Sequence, residues 1–379
     1  MPNNPFEQLR SPERYMPNLS SGSTLHIDLP LLLGLVILSC VGLAILYSAS
    51  GQDLDIVVRQ TVRLCIGFVS MVVIAQISPH HYKHWGPWVF LLGLLFLIAV
   101  LVVGEIGKGA QRWLDLGLFR FQPSEIMKVA VPVMAAWYLS ERAIPPSNKQ
   151  LFVTTLLIII PVLLIAKQPD LGTALLISAS GIFVLLLAGM RWRVVFSLLV
   201  LVIPISGLMW EYGMHDYQRN RILTLLDPER DPLGTGYHII QSKIAIGSGG
   251  LYGKGWLNGT QAHLEFLPES STDFIFAVFG EEFGLVGSIV LLLLYLAIVL
   301  RGLYIATQAQ NTFNRLLAGS LTLTFFVYVF VNIGMVIGIL PVVGVPLPLI
   351  SYGGTSVVTL MAGFGVLMSI HTHRKLLPA

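Results

Sequence analysis

Apolar residues along this chain gather in long runs divided by short polar stretches, and the runs have the length of bilayer crossings rather than of buried strands. Ten are read, at roughly residues 29–48, 57–77, 87–104, 122–141, 150–166, 172–188, 194–212, 274–300, 316–340 and 348–370. Each lies near the ~20 residues that a helix needs to cross a hydrocarbon core. The pattern predicts an all-α integral membrane fold: a polytopic bundle of about ten transmembrane helices with one large loop between the seventh and eighth. One membrane domain, 1–379, is expected, divided into a leader (1–28), spans one to seven (29–213), the loop (214–273), spans eight to ten (274–370) and a tail (371–379). The first run follows a polar leader and is too long for a signal-peptide core. Although Ser48-Ala49-Ser50 resembles a cleavage site, it is read as a retained span.

Composition agrees with that reading. Hydrophobic residues make up 55% of the 379 positions and charged ones 11%, against roughly a quarter charged in soluble domains. Cys40 and Cys65 sit inside the first two runs as small apolar side chains, so no disulfide framework is implied. The net charge of +3 is modest, and no basic tract interleaved with aromatics appears, so nucleic acid is not an expected partner.

Charge placement carries more than charge total. Ten spans bring both termini to one side, where Arg10, Arg14, Lys83, Arg142, Lys149, Arg191, Arg193, Arg301, Arg315, Arg374 and Lys375 cap helix ends or sit in tight turns. Such placement marks a cytoplasmic boundary, so cytoplasmic termini in a cytoplasmic (inner) membrane are expected. The opposite side nevertheless holds Arg59, Arg63, Lys108, Arg112, Arg120 and Lys167, with five more basic residues from Arg219 to Lys254 in the long loop, Arg221 among them. Outward cations work against the orientation rule, and an anionic headgroup held at the outer leaflet would retain them.

The unusual motifs fall on that same side. Glu125 and Lys128 stand three residues apart on one helix face, where intramembrane charge points to a polar cavity; a pair that locks two helices together is the competing reading. Lys167-Gln168-Pro169-Asp170 breaks the pattern between the fifth and sixth runs, with a proline and a following glycine able to turn both charges inward, or simply to make a hairpin. Pro341 to Thr355 carries three prolines and three glycines in apolar surroundings. It cannot be one continuous helix, so it must face protein or a wet cavity, with Ser351, Tyr352 and Thr355 as candidate lining. The long loop holds seven glycines between Gly234 and Gly255 and closes on a lone carboxylate, Asp273. Glu281 and Glu282 follow about two turns later, one expected to face the same cavity and the other to pair with a neighbouring helix, with the sequence not deciding which is which. His80, His81 and His84 read as a solvated turn rather than a metal site.

No GxxxxGK[ST], GxSxG or HExxH pattern occurs, so nucleotide hydrolysis, serine hydrolysis and zincin chemistry lack a signal. Carboxylates and cations alone suit sugar transfer from a lipid diphosphate. The leaving diphosphate needs its charge neutralised by Arg, Lys or a divalent ion such as magnesium or manganese, and the incoming hydroxyl needs a carboxylate base. No resident cofactor is fixed by the sequence.

Seven segments together resemble the SEDS family of shape, elongation, division and sporulation proteins. They are Gly109 to Asp115, Phe121 to Lys128, Lys167 to Thr173, Asp216 to Gly255, Leu267 to Phe274, Gly280 to Gly287 and Leu347 to Thr355. The resemblance covers nearly all ten spans, and the stretch from Pro341 to Thr355 is most similar to the elongation branch. It implies a peptidoglycan glycosyltransferase polymerising lipid II at the outer face of the membrane, with a class B penicillin-binding protein and other elongation-complex membrane proteins as partners. Asp273 matches the essential loop aspartate of the family, with the implied role of base on the acceptor hydroxyl. Arg112, Arg120, Glu125, Lys128 and Asp170 match residues lining its cavity. Lys167, Arg219, Arg221, Ser351 and Thr355 complete the expected substrate-binding set. A lipid II flippase and a non-catalytic scaffold for the penicillin-binding protein are the alternatives. Charges clustered on one side, with no symmetric repeat, favour chemistry at one leaflet over transport.

Overall fold

A computed structural model describes residues 25–107, 110–115, 120–214, 216–231, 234–263, 267 and 269–374. Most of the expected leader, the end of the expected tail, and Arg10, Arg14, Lys108 and Lys375 lie outside the described residues, as does the side chain of Arg120.

Ten long helices occupy the ten predicted runs. They are α1 (Leu29–Ala49), α2 (Leu54–Ala75), α3 (Pro79–Val103), α4 (Pro123–Ser140), α5 (Asn148–Lys167), α6 (Leu171–Leu187) and α7 (Trp192–Leu208), then, beyond the loop, α11 (Ile275–Thr307), α12 (Thr312–Val336) and α13 (Thr355–Thr372). Seven are long and apolar enough to cross a bilayer by length and composition. The other three depart for visible reasons: α6 and α7 are 17 residues each, and α4 carries Glu125 and Lys128 in its first two turns. The loop is not irregular. It holds α8 (Asp216–Leu226), α9 (Thr235–Gly249) and α10 (Thr260–His263). Between α3 and α4 the chain makes three short antiparallel strands, β1 (Glu105–Gly107), β2 (Ala110–Asp115) and β3 (Arg120–Phe121). The last run begins its helix at Thr355 rather than near 348, because the proline- and glycine-rich stretch before it stays non-helical, as its composition requires.

Starts are set by local chemistry. Asp28 caps α1, accepting from the Leu31 amide at 3.0 Å, and Ser147 and Gln150 form a reciprocal capping box on α5. On α1, the buried residues Leu31, Leu35, Leu38, Gly42 and Ile45 recur every three or four positions and face the bundle, while Leu29, Leu33 and Ile37 are exposed. Gly42 permits the non-helical 349–350 segment to press on α1, since a Cβ there would stand 2.4 Å from the Leu349 carbonyl oxygen.

At Gly284 (φ 65°, ψ −161°) the helix α11 breaks. The loop repairs the interrupted ladder. Leu285 and Val286 donate to the carbonyls of Gly250 and Leu251, each at 3.0 Å, while the amides of Lys254 and Gly255 donate to the carbonyls of Glu281 and Glu282 at 3.0 and 2.9 Å. Broken backbone at this depth survives because protein supplies the missing partners.

The two ends of the bundle differ. Where α1 starts and α13 finishes, Arg301 grips Asp28 with two bonds of 2.7 and 3.1 Å, and His371 Nδ1 lies 2.6 Å from the same carboxylate. Lys83 and Glu141 pair at 2.6 Å, joining the start of α3 to the end of α4. Burial raises the Asp28 carboxyl, but the hydrogen bonds from Arg301 and Leu31 and the charges of Arg301 and His371 outweigh it, leaving it below the ordinary carboxylate value. The unusual motifs lie at the other end.

Candidate active site

Two turns and one broken segment assemble the site. On β2, Arg112 donates from Nη2 to the Pro169 carbonyl and from Nε to that of Gln168 at 3.5 Å, and its Nη1 stands 3.8 Å from Asp170 Oδ1. Gln122, just before α4, donates to Asp170 Oδ2 at 3.0 Å. Asp170 also caps α6 through the Thr173 amide at 3.4 Å. The turn therefore faces one charge inward rather than two: Asp170 is buried and Lys167 is exposed.

Four residues into α4, the Glu125–Lys128 pair closes at 2.7 Å with both residues buried. The second oxygen of Glu125 and the hydroxyl of Ser124 have no hydrogen-bond partner. Lys128 Nζ lies 5.4 Å from the centre of the Tyr328 ring. This ammonium opens on a pocket between α4, α12 and α13 that is otherwise mostly apolar. A second pocket is lined by Pro346, Leu347, Ser351 and Ser356. Tyr328 and Leu360 line both, so the Lys128 pocket and the pocket at the broken segment share a wall.

Asp273 sits two residues before α11, partly exposed. Its neighbourhood is stitched to the 345–352 segment by main-chain bonds. Ser351 Oγ donates to the Thr272 carbonyl at 2.5 Å and accepts from the Leu347 amide at 2.8 Å, and the Tyr352 amide donates to the Ser271 carbonyl at 2.9 Å. A Cβ on Gly344 (φ +73°) would stand 3.6 Å from Asp273 Oδ2. Two residues after Asp170, a Cβ on Gly172 would stand 2.8 Å from the Val343 carbonyl oxygen and 3.0 Å from Val345 Cγ2. The stretch 343–345 thus has the Asp170 turn on one side and the Asp273 carboxylate on the other.

Some expected residues are placed apart from this set. Arg219 on α8 donates to the Glu211 carbonyl at 2.8 Å, and α8, which also carries Arg221, packs against α9 and the 228–230 turn. Thr355 opens α13 and is partly exposed. Ser351 is fully engaged by main chain, so the structure gives it a bracing task. Glu281 and Glu282 are both buried outside either cavity: Lys254 reaches Glu281 at 2.6 Å with Thr260 and Gln261 bonding the same carboxylate, and Ser48 Oγ donates to Glu282. Gly249 and Gly253 allow that loop to press on the α11 backbone, since a Cβ on either would fall 2.1 Å from a carbonyl oxygen. Sequence reasoning missed Gln122, Tyr328 and Asn332; a single Asn inside an apolar run was the available signal for the last.

Among the described residues no three His, Cys, Asp or Glu side chains converge on one point. The described donor set therefore does not fit a divalent ion held by protein ligands alone.

Fold and site together define a polytopic membrane protein with cations and carboxylates gathered around a broken segment at one end of the bundle. A family model described as cell cycle protein, FTSW_RODA_SPOVE, matches residues 23–376, and the chain belongs to this family, the SEDS family. The peptidoglycan glycosyltransferase MrdB of Escherichia coli K12 is 57% identical over 352 residues, covering 93% of this chain and 95% of that protein. A probable peptidoglycan glycosyltransferase FtsW of Geobacter sulfurreducens is 38% identical, covering 92% and 96%. Among solved structures, a chain of a peptidoglycan synthase complex, described as coordinating polymerization and crosslinking, superposes with a TM-score of 0.80 at 30% identity, covering 91% of this chain and 97% of that one. The rod shape determining protein RodA of Thermus thermophilus superposes with a TM-score of 0.71 at 28% identity, covering 95% and 100%.

Proposed function

We propose that this chain is a peptidoglycan glycosyltransferase of the RodA type, polymerising lipid II into glycan strands during cell elongation. The observation that carries the reading is the meeting at residues 341–355 of a buried acid turn and a partly exposed aspartate, with the pocket of the buried Lys128 sharing a wall with the pocket at that segment. The close relatives named for this activity support it over nearly the whole chain.

In this reading Asp273 takes the proton from the acceptor's 4-hydroxyl. The freed oxygen attacks the donor's anomeric carbon with inversion, while the bond from that carbon to undecaprenyl diphosphate breaks and the electron pair leaves on the diphosphate. Lys128 and Arg112 stabilise the negative charge that grows there, which a desolvated site makes far more effective than water would. Arg120, Glu125 and Asp170 hold the glycan or the diphosphate, Ser351 braces Thr272, and Lys167, Arg219, Arg221 and Thr355 meet substrate at its approach.

The site end faces outward and the Asp28–Arg301 end faces the cytoplasm, so the termini are cytoplasmic and the membrane is the inner one. The basic groups at the terminus end support this orientation. Residues 1–379 form one membrane domain, and residues 214–273 are its extracytoplasmic loop. A class B penicillin-binding protein and other elongation-complex proteins are its partners, supported by the likeness to a chain of a synthase complex.

The test is incubation of purified lipid II with the purified chain, alone and with a class B penicillin-binding protein, followed by sizing of the glycan product. Strands formed by wild type are expected. No product under either condition, with lipid II instead crossing between vesicle leaflets, would move the function to transport.

A further inference from the structure

Asn332 lies on α12, wholly buried, in a stretch of otherwise apolar helix. Its side-chain amide donates one hydrogen to the Asp273 carbonyl at 2.9 Å and the other to the Val345 carbonyl at 2.8 Å. Both acceptors fix the direction of the amide, because a flipped group would set its oxygen against two carbonyl oxygens. The cost of this direction is visible: Asn332 Oδ1 is buried without a donor. A buried bare acceptor is unfavourable, so what favours Asn here is its pair of N–H groups. Aspartate has no donor to offer, leucine has none, and serine has one.

The two carbonyls held together are not a random pair. One belongs to Asp273 itself. The other belongs to Val345, the neighbour of Gly344, whose Cβ position faces Asp273 Oδ2, and the Val345 side chain lies against Gly172, next but one to Asp170. A single amide therefore sets the spacing between the aspartate and the segment that carries the rest of the site. Ser351 and Tyr352 already tie residues 271 and 272 to that segment. What Asn332 adds is a clamp at the one residue whose carboxylate acts.

We propose that Asn332 is a positioning residue for glycosyl transfer, holding the Asp273 main chain so that its carboxylate meets the acceptor hydroxyl in register with the Arg112–Asp170 turn. The inference rests on the assignment of Asp273 as the base. It acts through Asp273 and does not touch substrate, so its loss should slow the chemical step while leaving lipid II binding in place.

The experiment compares wild type, Asn332→Leu, Asn332→Ser and Asp273→Asn as purified full-length chains, with rates of lipid II polymerisation normalised to the monodisperse folded fraction. Asn332→Leu is expected to lose at least tenfold in kcat with KM for lipid II within twofold, and to shift the pH profile of kcat because the base no longer sits in the same surroundings. Asn332→Ser, which keeps one donor and is small enough to fold if the leucine variant does not, should fall between the two. Wild-type kcat and pH profile per folded molecule in either Asn332 variant, or a loss confined to KM, would overturn the positioning role while an inactive Asp273→Asn leaves the base assignment standing. Full activity in Asp273→Asn would instead remove the base assignment, and with it the ground for this inference.

Discussion

Two acidic places eight to nine residues apart on the same stretch of chain are treated in opposite ways. Glu281 and Glu282 are wholly buried, and Glu281 is surrounded by Lys254, Thr260 and Gln261, which leave its carboxylate nothing to do but hold the loop to α11. Asp273 has its main chain clamped by Asn332 and lies beside Thr272, whose carbonyl Ser351 holds, yet the residue stays partly exposed beside Gly344. A carboxylate buried among donors on a rigid framework is a structural group, whereas one on a fixed backbone that keeps partial exposure is placed for chemistry. The contrast separates fold from function within a single helix entrance.

The sharpest way to break the contrast is at Asp273. Replacing it with Asn should lower polymerisation by about 10³-fold, within the usual range for loss of a general base, with the thermal midpoint unmoved. Activity within a few fold of wild type would end its chemical role. Next comes Lys128→Met, for which about a 100-fold loss of kcat is expected if the ammonium neutralises the departing diphosphate. The double variant Glu125→Gln/Lys128→Met separates this from a helix-locking pair: if locking is all the pair does, removing both charges restores activity.

Glu281→Gln should act on stability instead. Breaking its bonds to a partly screened Lys254 costs about 1–3 kcal/mol, seen as a lower unfolding midpoint, while the molecules that remain folded polymerise normally. Gly344→Ala places a side chain at φ +73° beside Asp273, costing about 1 kcal/mol and about tenfold in rate as the carboxylate is displaced. The smallest effect belongs to Asp28, at the far end of the bundle. Because its folded-state pKa is lowered, its contribution is present above the ordinary carboxylate value and is lost as pH falls through the folded value. Asp28→Asn should therefore unfold earlier than wild type at neutral pH, with the gap narrowing only as the pH falls below about 4 and closing below the folded-state value.

Much of this was legible in the sequence, and the limits were physical. Ten helices were visible because a bilayer demands continuous apolar length, and Pro341 to Thr355 was visible as a break because prolines cannot sustain a helix. The inward faces were not, since lipid-facing Leu33 and bundle-facing Leu35 are the same residue type. The loop glycines carry no sign in the sequence of what they meet, yet Gly249 and Gly253 occupy points where the loop backbone meets that of α11. Asp170 and Lys167 looked alike in one turn, and only the fold decides that one is buried and the other exposed. Asn332 was legible as an oddity but not as a clamp, because its two partners lie 59 and 13 residues away.

The most direct test sets Asp273→Asn and Glu281→Gln side by side in one preparation, each measured for glycan product per folded molecule and for unfolding midpoint. A crossed result is expected: Asp273→Asn inactive with a wild-type midpoint, and Glu281→Gln less stable with wild-type product per folded molecule. Product from Asp273→Asn, or loss of product from a Glu281→Gln chain with an unchanged midpoint, would contradict it.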